Sequence, residues 1–269
     1  MVNNLNLYQN RIVVKVGTST LTNEMGENNL RSFDRLACVI SDIQNMGYET
    51  VLVSSGAIAA GKNKLKMKTC PTSKRLKQAA AAVGQCSIMY LYDKFFHDYD
   101  KTIAQILLNA EDMEIEEKKE NLTNTFNTLL EMGIIPVVNE NDSVSYTEIE
   151  SEDRLFGDND MLSAVVAILC RAQKLVILSD IDGFYDSDPR LYPNAKLIER
   201  ITTIDEKVQS LAGGAGSRRG TGGMKTKLQA AKLATIQGID TIITNGKNPS
   251  VLYEIVKERN VGTLFVGRH

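Results

Sequence analysis

Arg11-Ile12-Val13-Val14-Lys15-Val16-Gly17-Thr18-Ser19 places a β-branched run directly before a glycine and two hydroxyl residues. Branched Cβ atoms pack well on a pleated surface, so the run predicts a strand over residues 11–16. It is almost unbroken in apolar character, as expected of a strand covered on both faces. Lys15 interrupts it, and lysine is rarely buried without a partner. A strand-end lysine can snorkel to solvent. Alternatively it is a cation aimed at a transferring phosphate, assisted by the Gly17-Thr18 turn.

Working outward, the same alternation repeats. Further strands are expected at 50–54, 102–108, 134–139, 174–179, 240–244 and 263–266. Helical patterns fill 29–46, 73–99, 117–131, 160–171, 225–237 and 249–258, with Gly47, Gly133 and Gly238 as their stops. Strand–helix alternation of this kind implies a mainly parallel sheet covered by helices on both faces. The expected class is therefore α/β, a three-layer αβα sandwich. No proline/serine-rich linker and no internal repeat divides the 269 residues. The glycine-rich stretch 213–223 is the one break in composition, and a single domain with two lobes is expected over 1–269.

In open parallel sheets ligands gather at the carboxyl ends of the strands. Four strands here run into polar or small residues: Gly17-Thr18-Ser19, Ser54-Ser55-Gly56, Asn139-Glu140-Asn141-Asp142 and Ser179-Asp180. A fifth segment, Gly220-Thr221-Gly222-Gly223-Met224-Lys225-Thr226-Lys227, joins clustered glycines to a helix start and two lysines. Glycines allow close backbone approach, and a helix N-terminus offers unpaired N–H groups, so the combination favours a phosphate. The plainer reading is a flexible link before a surface helix.

Gly56-Ala-Ile-Ala-Ala-Gly61-Lys62 nearly completes a phosphate-binding P-loop, but Asn63 stands where the magnesium-binding Ser or Thr belongs. The structural alternative is a small-residue helix start packed close to a neighbour. Asn139 through Asp142 and Gly157-Asp158-Asn159-Asp160 are dense in turn-forming residues, and Asp160 could simply cap its helix. Neutral amides with a few carboxylates also suit a zwitterion, whose ammonium wants acceptors and whose carboxylate wants donors. The chain has two histidines, His97 and His269, and neither falls in such a segment. Chemistry without a histidine base fits phosphoryl transfer to a carboxylate, which is already ionised at neutral pH. The obstacle is an anion attacking an anion, and lysines, amides and Mg²⁺ address it.

Composition narrows the setting. A net charge of −2 gives no reason to expect nucleic acid or anionic membrane as a partner. The apolar runs are too short to span a bilayer. Cys38, Cys70, Cys86 and Cys170 form no C-x-x-C pair, and buried free thiols in a reducing, cytoplasmic setting are expected.

Val13 through Ser19, Ser54 through Gly61, Ala82-Val83-Gly84-Gln85, Pro136 through Asp142, Phe156 through Asp160, Ser179-Asp180, Thr221 through Met224 with Thr226-Lys227, and Gly262-Thr263-Leu264-Phe265 occur in family order. As a set they resemble the glutamate 5-kinase family of the amino acid kinase superfamily. The resemblance implies the amino acid kinase fold and ATP-dependent phosphorylation of the γ-carboxylate of L-glutamate, giving L-glutamate 5-phosphate and ADP. That is the first step of proline biosynthesis. It further implies that Lys15 and Lys227 stabilise the transferring group and that Asp160 holds them. Ser55, Gly56, Asn139, Asp142 and Asn159 would surround glutamate. Lys15, Ser179, Asp180, Thr221, Gly222, Gly223, Met224, Lys225, Thr226 and Lys227 would contact ATP, with Mg²⁺ bridging its phosphates and no protein metal site. Proline inhibition, a homo-oligomer and coupling to a glutamate 5-phosphate reductase are carried with the family. Many members add a C-terminal PUA domain, which is not expected here. Ser179 stands where threonine is common. Arg218, Arg219 and Lys225 make the nucleotide segment basic, which suits attraction of ATP. Two other readings remain: a sister kinase acting on acetylglutamate, aspartate, carbamate or UMP, and a metabolite sensor without turnover.

Overall fold

The computed structural model describes residues 8–23, 26–144, 159–212 and 223–268. In chain order it contains β1 (Tyr8–Val16), α1 (Thr18–Leu21), α2 (Leu30–Asn45), β2 (Glu49–Ser54), α3 (Ala57–Lys64), α4 (Lys74–His97), β3 (Ile103–Leu108), α5 (Glu116–Glu131) and β4 (Ile135–Glu140). There follow α6 (Asn159–Leu169), β5 (Ala172–Ser179), β6 (Arg200–Ile201), α7 (Glu206–Leu211), α8 (Met224–Ile236), β7 (Asp240–Asn245), α9 (Val251–Val256) and β8 (Thr263–Phe265). All the long predicted elements form, within a few residues of their expected ends. Gly47, Gly133 and Gly238 take up positive φ after their helices. The short pieces α1, α7 and β6, and helix α3, were not expected as separate elements.

The sheet has eight strands in the order β3-β4-β2-β1-β5-β7-β8-β6. Pairing is parallel from β3 across to β7, and β8 then runs antiparallel to β7. Strand β1 lies at the centre. The chain fills the β2 side first and then returns to place β5 on the other side, so the connections diverge at β1 and β5. The crevice above such a divergence is where open α/β sheets bind ligands.

Residue alternation along the strands builds two cores. Val14 and Val16 face the side covered by α2, α3, α4 and α9, together with Leu52, Val176 and Leu178. Val13 faces the opposite side with Val53 and Ile177, under α5, α6 and α8. Helix α2 shows how the covering layer is made: Phe33, Leu36, Ala37, Ile40 and Ile43 recur at three- and four-residue spacing and are all buried. The three-layer αβα sandwich is thus as expected. The cysteines depart from expectation. Cys170 is buried, Cys38 is half-buried, and Cys70 and Cys86 are exposed. Helical spacing fixed which positions lie on helices but not how fully a neighbour covers them.

Two contacts fix helices to the sheet. At the lower edge Arg11 is 1% exposed. Its guanidinium reaches Glu49 at 2.7 Å, Asn127 at 2.8 Å and the carbonyl of Cys170, just beyond the end of α6, at 2.6 Å. A cation at a helix C-terminus is favourable, and the partners compensate its burial. At the upper edge α3 and α4 meet backbone to backbone. A Cβ on Gly61 would lie 1.7 Å from the Ala80 carbonyl oxygen, and one on Gly84 would lie 1.7 Å from that of Ala57. Gly61 therefore serves close helix packing, and the P-loop likeness of 56–62 is resolved in favour of the structural alternative.

Gly84→Ala should force these helices apart at a cost of about 3 kcal/mol. Gly133→Ala, where nothing lies within 4 Å and only the positive φ is at stake, should cost about 1–2 kcal/mol. Urea unfolding of both variants checks this; equal losses would remove the special role of the helix contact.

Candidate active site

Lys15 lies one residue before the end of β1, with Val53 and Ile177 as its sheet neighbours. It shares the face of Val13 and so projects beneath α6. Asp160 sits in the first turn of α6 and is fully buried. Lys227 sits in the first turns of α8. The three side chains converge: Lys15 Nζ is 2.6 Å from Asp160 Oδ1, and Lys227 Nζ is 3.1 Å from Asp160 Oδ2. Both lysines are almost fully buried, at 5% and 6% exposure. Thr226 Oγ1 also approaches Asp160 Oδ2, at 3.0 Å, and the Gly223 carbonyl at 2.9 Å. The snorkelling alternative for Lys15 and the simple-cap alternative for Asp160 are both set aside by these contacts.

The electrostatics follow from counting. Two ammonium groups against one carboxylate leave one positive charge within this trio. Burial alone would raise the Asp160 pKa, but the charges of Lys15 and Lys227 outweigh it and hold the carboxyl below its ordinary 3.8. Helices α6 and α8 both begin at this point, so their positive dipole ends add to the local field. A buried, net positive cluster of this kind is suited in charge to a multiply charged anion.

A chain of amides leads away from Asp160. The neighbouring Asn159 donates from Nδ2 to the Ser54 carbonyl at 2.6 Å and to Asn139 Oδ1 at 3.0 Å. Asn139, 3% exposed at the end of β4, donates in turn to Gln85 Oε1 on α4 at 2.9 Å. Ser54 Oγ lies 2.9 Å from the hydroxyl of buried Tyr92. Ser55 is held through its N–H to the Val16 carbonyl at 3.2 Å. Gly56 follows with φ +97°, a conformation that a side chain would strain. Asp142 lies beyond, where burial raises its pKa. It borders a cavity of about 440 Å³ between α4 and the ends of β3 and β4, with Gln85, Glu140 and Asn141.

A second cavity, of about 420 Å³, opens on the other side of Lys227. Ser179 and Asp180 from the end of β5, Gly223 and Met224 from the start of α8, and Asn245 from the end of β7 line it, with Phe184 and Tyr185. Lys227 thus belongs both to the buried trio and to this cavity. Ser179 donates to the Asp180 carboxylate at 3.2 Å, and Asn245 donates to Asp182 at 2.7 Å. Lys225 is exposed on the outer face of α8. Thr221 and Gly222 lie outside the described residues, as do Gly157, Asp158, Arg218, Arg219 and Gly220.

Sequence reasoning assigned no role to Gln85, Asn245 or Tyr92. Asn245 was open to discovery, because β7 ends in a polar residue like the other parallel strands. Gln85 stood in the Ala82-Val83-Gly84-Gln85 motif but in mid-helix, and only the fold brings it to Asn139 at the end of β4. Among the described residues no group of three or more His, Cys, Asp or Glu is gathered as a metal-ligand set.

Comparison with known proteins identifies the family. The pattern of the amino acid kinase family matches residues 10–245. The chain is 55% identical to the glutamate 5-kinase of Clostridium perfringens over 258 residues, 96% of each chain. It is 48% identical to that of Listeria innocua, over 96% of this chain and 93% of the relative. Among solved structures, UMP kinase from Bacillus anthracis matches with a TM-score of 0.64 at 16% identity, covering 97% of each chain. Carbamate kinase from Giardia lamblia bound to AMP-PNP matches with a TM-score of 0.68 at 15% identity, covering 99% of each. At such identities these two likenesses speak to the fold alone. By its sequence pattern and its relatives, this chain belongs to the amino acid kinase family, in its glutamate 5-kinase branch.

Proposed function

We infer that the protein transfers the γ-phosphoryl group of ATP to the γ-carboxylate of L-glutamate. A carboxylate oxygen forms the new bond to phosphorus while the bond to the ADP oxygen breaks, so no proton need be moved and no histidine base is required. The observation that carries this reading is the buried Lys15–Asp160–Lys227 trio, whose Lys227 lines one cavity and whose neighbour Asn159 is linked through Asn139 to Gln85 at the other. ATP is assigned to the cavity of Ser179, Asp180, Gly223 and Met224. Glutamate is assigned to the region of Ser55, Gly56, Asn139, Asp142 and Asn159. Lys15 and Lys227 stabilise the charge that builds on the transferring group, and Asp160 sets their positions. Thr226 is assigned a holding role on Asp160, and Thr221, Gly222 and Lys225 retain the nucleotide role implied by the family resemblance.

Mg²⁺ fits the donor chemistry of the nucleotide cavity, whose hard oxygens include Asp180 and Asp182. Held there chiefly by phosphate oxygens, it would neutralise charge on the nucleotide. The same reading places the enzyme at the first step of proline biosynthesis, as a single domain with two lobes in a cytoplasmic homo-oligomer. Proline acts as its inhibitor, and a glutamate 5-phosphate reductase consumes the labile product. Among the described residues no helix is long and apolar enough to cross a membrane.

The reaction is tested by following ATP consumption with Mg²⁺ and L-glutamate, N-acetylglutamate, L-aspartate, carbamate or UMP. Hydroxylamine traps an acyl phosphate as its hydroxamate. A glutamate-dependent hydroxamate is expected; turnover only with another acceptor moves the function to a sister kinase, and no turnover favours a sensor.

Three variants probe the roles. Lys227→Ala should lower kcat by about 100-fold or more while glutamate KM changes little, because the charge acts mainly on the transition state. Ser55→Ala should raise glutamate KM and leave kcat nearly intact. Steady-state kinetics on both would expose a shared binding defect if these effects were not separable. Asp160→Asn should destabilise the fold by about 3–5 kcal/mol at neutral pH, since it leaves two buried ammonium groups without their carboxylate. A depressed folded-state pKa contributes stability above the ordinary carboxylate value, lost as pH falls through the folded value. The stability gap between wild type and Asp160→Asn should therefore close as pH drops below about 4. Urea unfolding across that range reads it, and a gap independent of pH would contradict the ionised aspartate.

A further inference from the structure

The amide chain beside Asp160 has a direction that can be derived. Carbonyl oxygen and amide nitrogen of Asn and Gln are easily interchanged, so their placement must rest on groups of fixed polarity. Both fixed ends are present. The Ser54 carbonyl can only accept, so the Asn159 atom 2.6 Å from it is the NH₂ group. The Glu140 backbone N–H can only donate, so the Asn139 atom 2.9 Å from it is the carbonyl oxygen. These two assignments agree, because Asn159 Nδ2 also meets Asn139 Oδ1 at 3.0 Å. The NH₂ of Asn139 is then the group directed at Gln85, and Gln85 must accept through Oε1, at 2.9 Å. One consequence is left: the NH₂ of Gln85 is the part of this amide that remains for the cavity it lines.

The cavity is otherwise rich in acceptors. Glu140 and Asp142 contribute carboxylates to it. Two other amides line it, but Gln105 lies exposed on the edge strand β3, and Asn141 accepts a hydrogen bond from Ser143 at 2.6 Å. Gln85 alone among these three has its outward group fixed by the chain that starts at Asp160. A zwitterionic end of a ligand needs both characters, acceptors for its ammonium and a donor for its carboxylate. In the glutamate reading the carboxylate under attack lies at Lys15 and Lys227, and the hydrogen-bonded path Asn159–Asn139–Gln85 leads from beside Asp160 to this cavity, which is assigned to the ligand's other end.

We propose that Gln85 is an acceptor-specificity residue whose NH₂ group binds the α-carboxylate of the amino acid being phosphorylated. The assignment rests on the glutamate reading above and adds to it the residue that recognises the non-reacting end. It explains why a polar mid-helix residue of α4 is tied to Asn139. It also links recognition to chemistry, since the same chain positions Asn159 next to Asp160.

Gln85→Glu is the informative substitution. A carboxylate can still accept from Asn139, so the internal chain is kept, while the outward donor becomes an anionic acceptor. The measurement is the ratio of kcat/KM for L-glutamate to that for L-glutamate α-amide, in which the α-carboxylate is neutral and carries its own donors. This ratio should fall about 10- to 150-fold in Gln85→Glu, the equivalent of one hydrogen bond to a charged group. The loss should appear in glutamate KM, with ATP KM unchanged. Gln85→Leu, which breaks both ends of the link, should also weaken glutamate but lower Tm as well; thermal unfolding of both variants separates folding from recognition. A merely structural Gln85 would leave the ratio at its wild-type value in both variants, and that result overturns the proposal. Wild-type enzyme that turns over no glutamate overturns the glutamate reading and this assignment together; active wild type with an unchanged ratio overturns this assignment alone.

Discussion

Burying two lysines against one aspartate is the constraint around which the upper edge of this protein is arranged. An ammonium group removed from water costs several kcal/mol unless a partner compensates it. Asp160 is the shared partner, and its carboxylate must reach both Nζ atoms at once. That requirement ties together the end of β1, the start of α6 and the start of α8. In the proposed reaction the single positive charge that remains in the trio is what an incoming phosphate would exploit. Stability and the proposed chemistry would then draw on the same three side chains.

The fold makes this convergence possible because parallel strands deliver their carboxyl ends to one edge. Strand β1 lies between β2 and β5, where the chain changes direction across the sheet. Its last residues reach Asp160 through Lys15 and hold the Ser55 N–H through the Val16 carbonyl. Helix α6 acts as a strut between the two edges. Its first turn carries Asp160, and Arg11 grips the carbonyl just past its last turn. Negative charge at its N-terminus and positive charge at its C-terminus both favour the helix dipole. At 11 residues the strut spans about 16 Å, so the lower edge of the sheet takes part in positioning the upper one.

Much of this was legible in the sequence, for identifiable reasons. Strong period in the strands and helices gave the sandwich, and polar residues after apolar runs marked the edge where Lys15, Asn139, Asp160 and Ser179 meet. What escaped were properties set by contacts between distant segments. For helix α3 the sequence offered a P-loop likeness, against which Asn63 spoke, beside a small-residue helix start, because glycines that cradle a phosphate and glycines that let helices touch look the same in a linear pattern. The antiparallel strand β8 carried no signal of its direction. Gln85 was marked only as part of the Ala82-Val83-Gly84-Gln85 motif, because mid-helix position says nothing of what lies across the gap. The exposed thiols of Cys70 and Cys86 show the same gap from the other side: a helical or loop pattern does not reveal which residues a neighbour covers.

The contact of Gly61 and Gly84 with facing carbonyls has a consequence for how the protein can vary. The loop of Ser55 and Gly56 is carried on α3, and α3 meets α4 at peptide units as well as through small side chains. Its height above the sheet is therefore a fixed length of the backbone itself. Outward-facing residues of both helices can drift freely in size and charge without moving the loop. The surface can be rewritten for new surroundings while the distance between the Ser55–Gly56 loop and the buried trio is inherited unchanged.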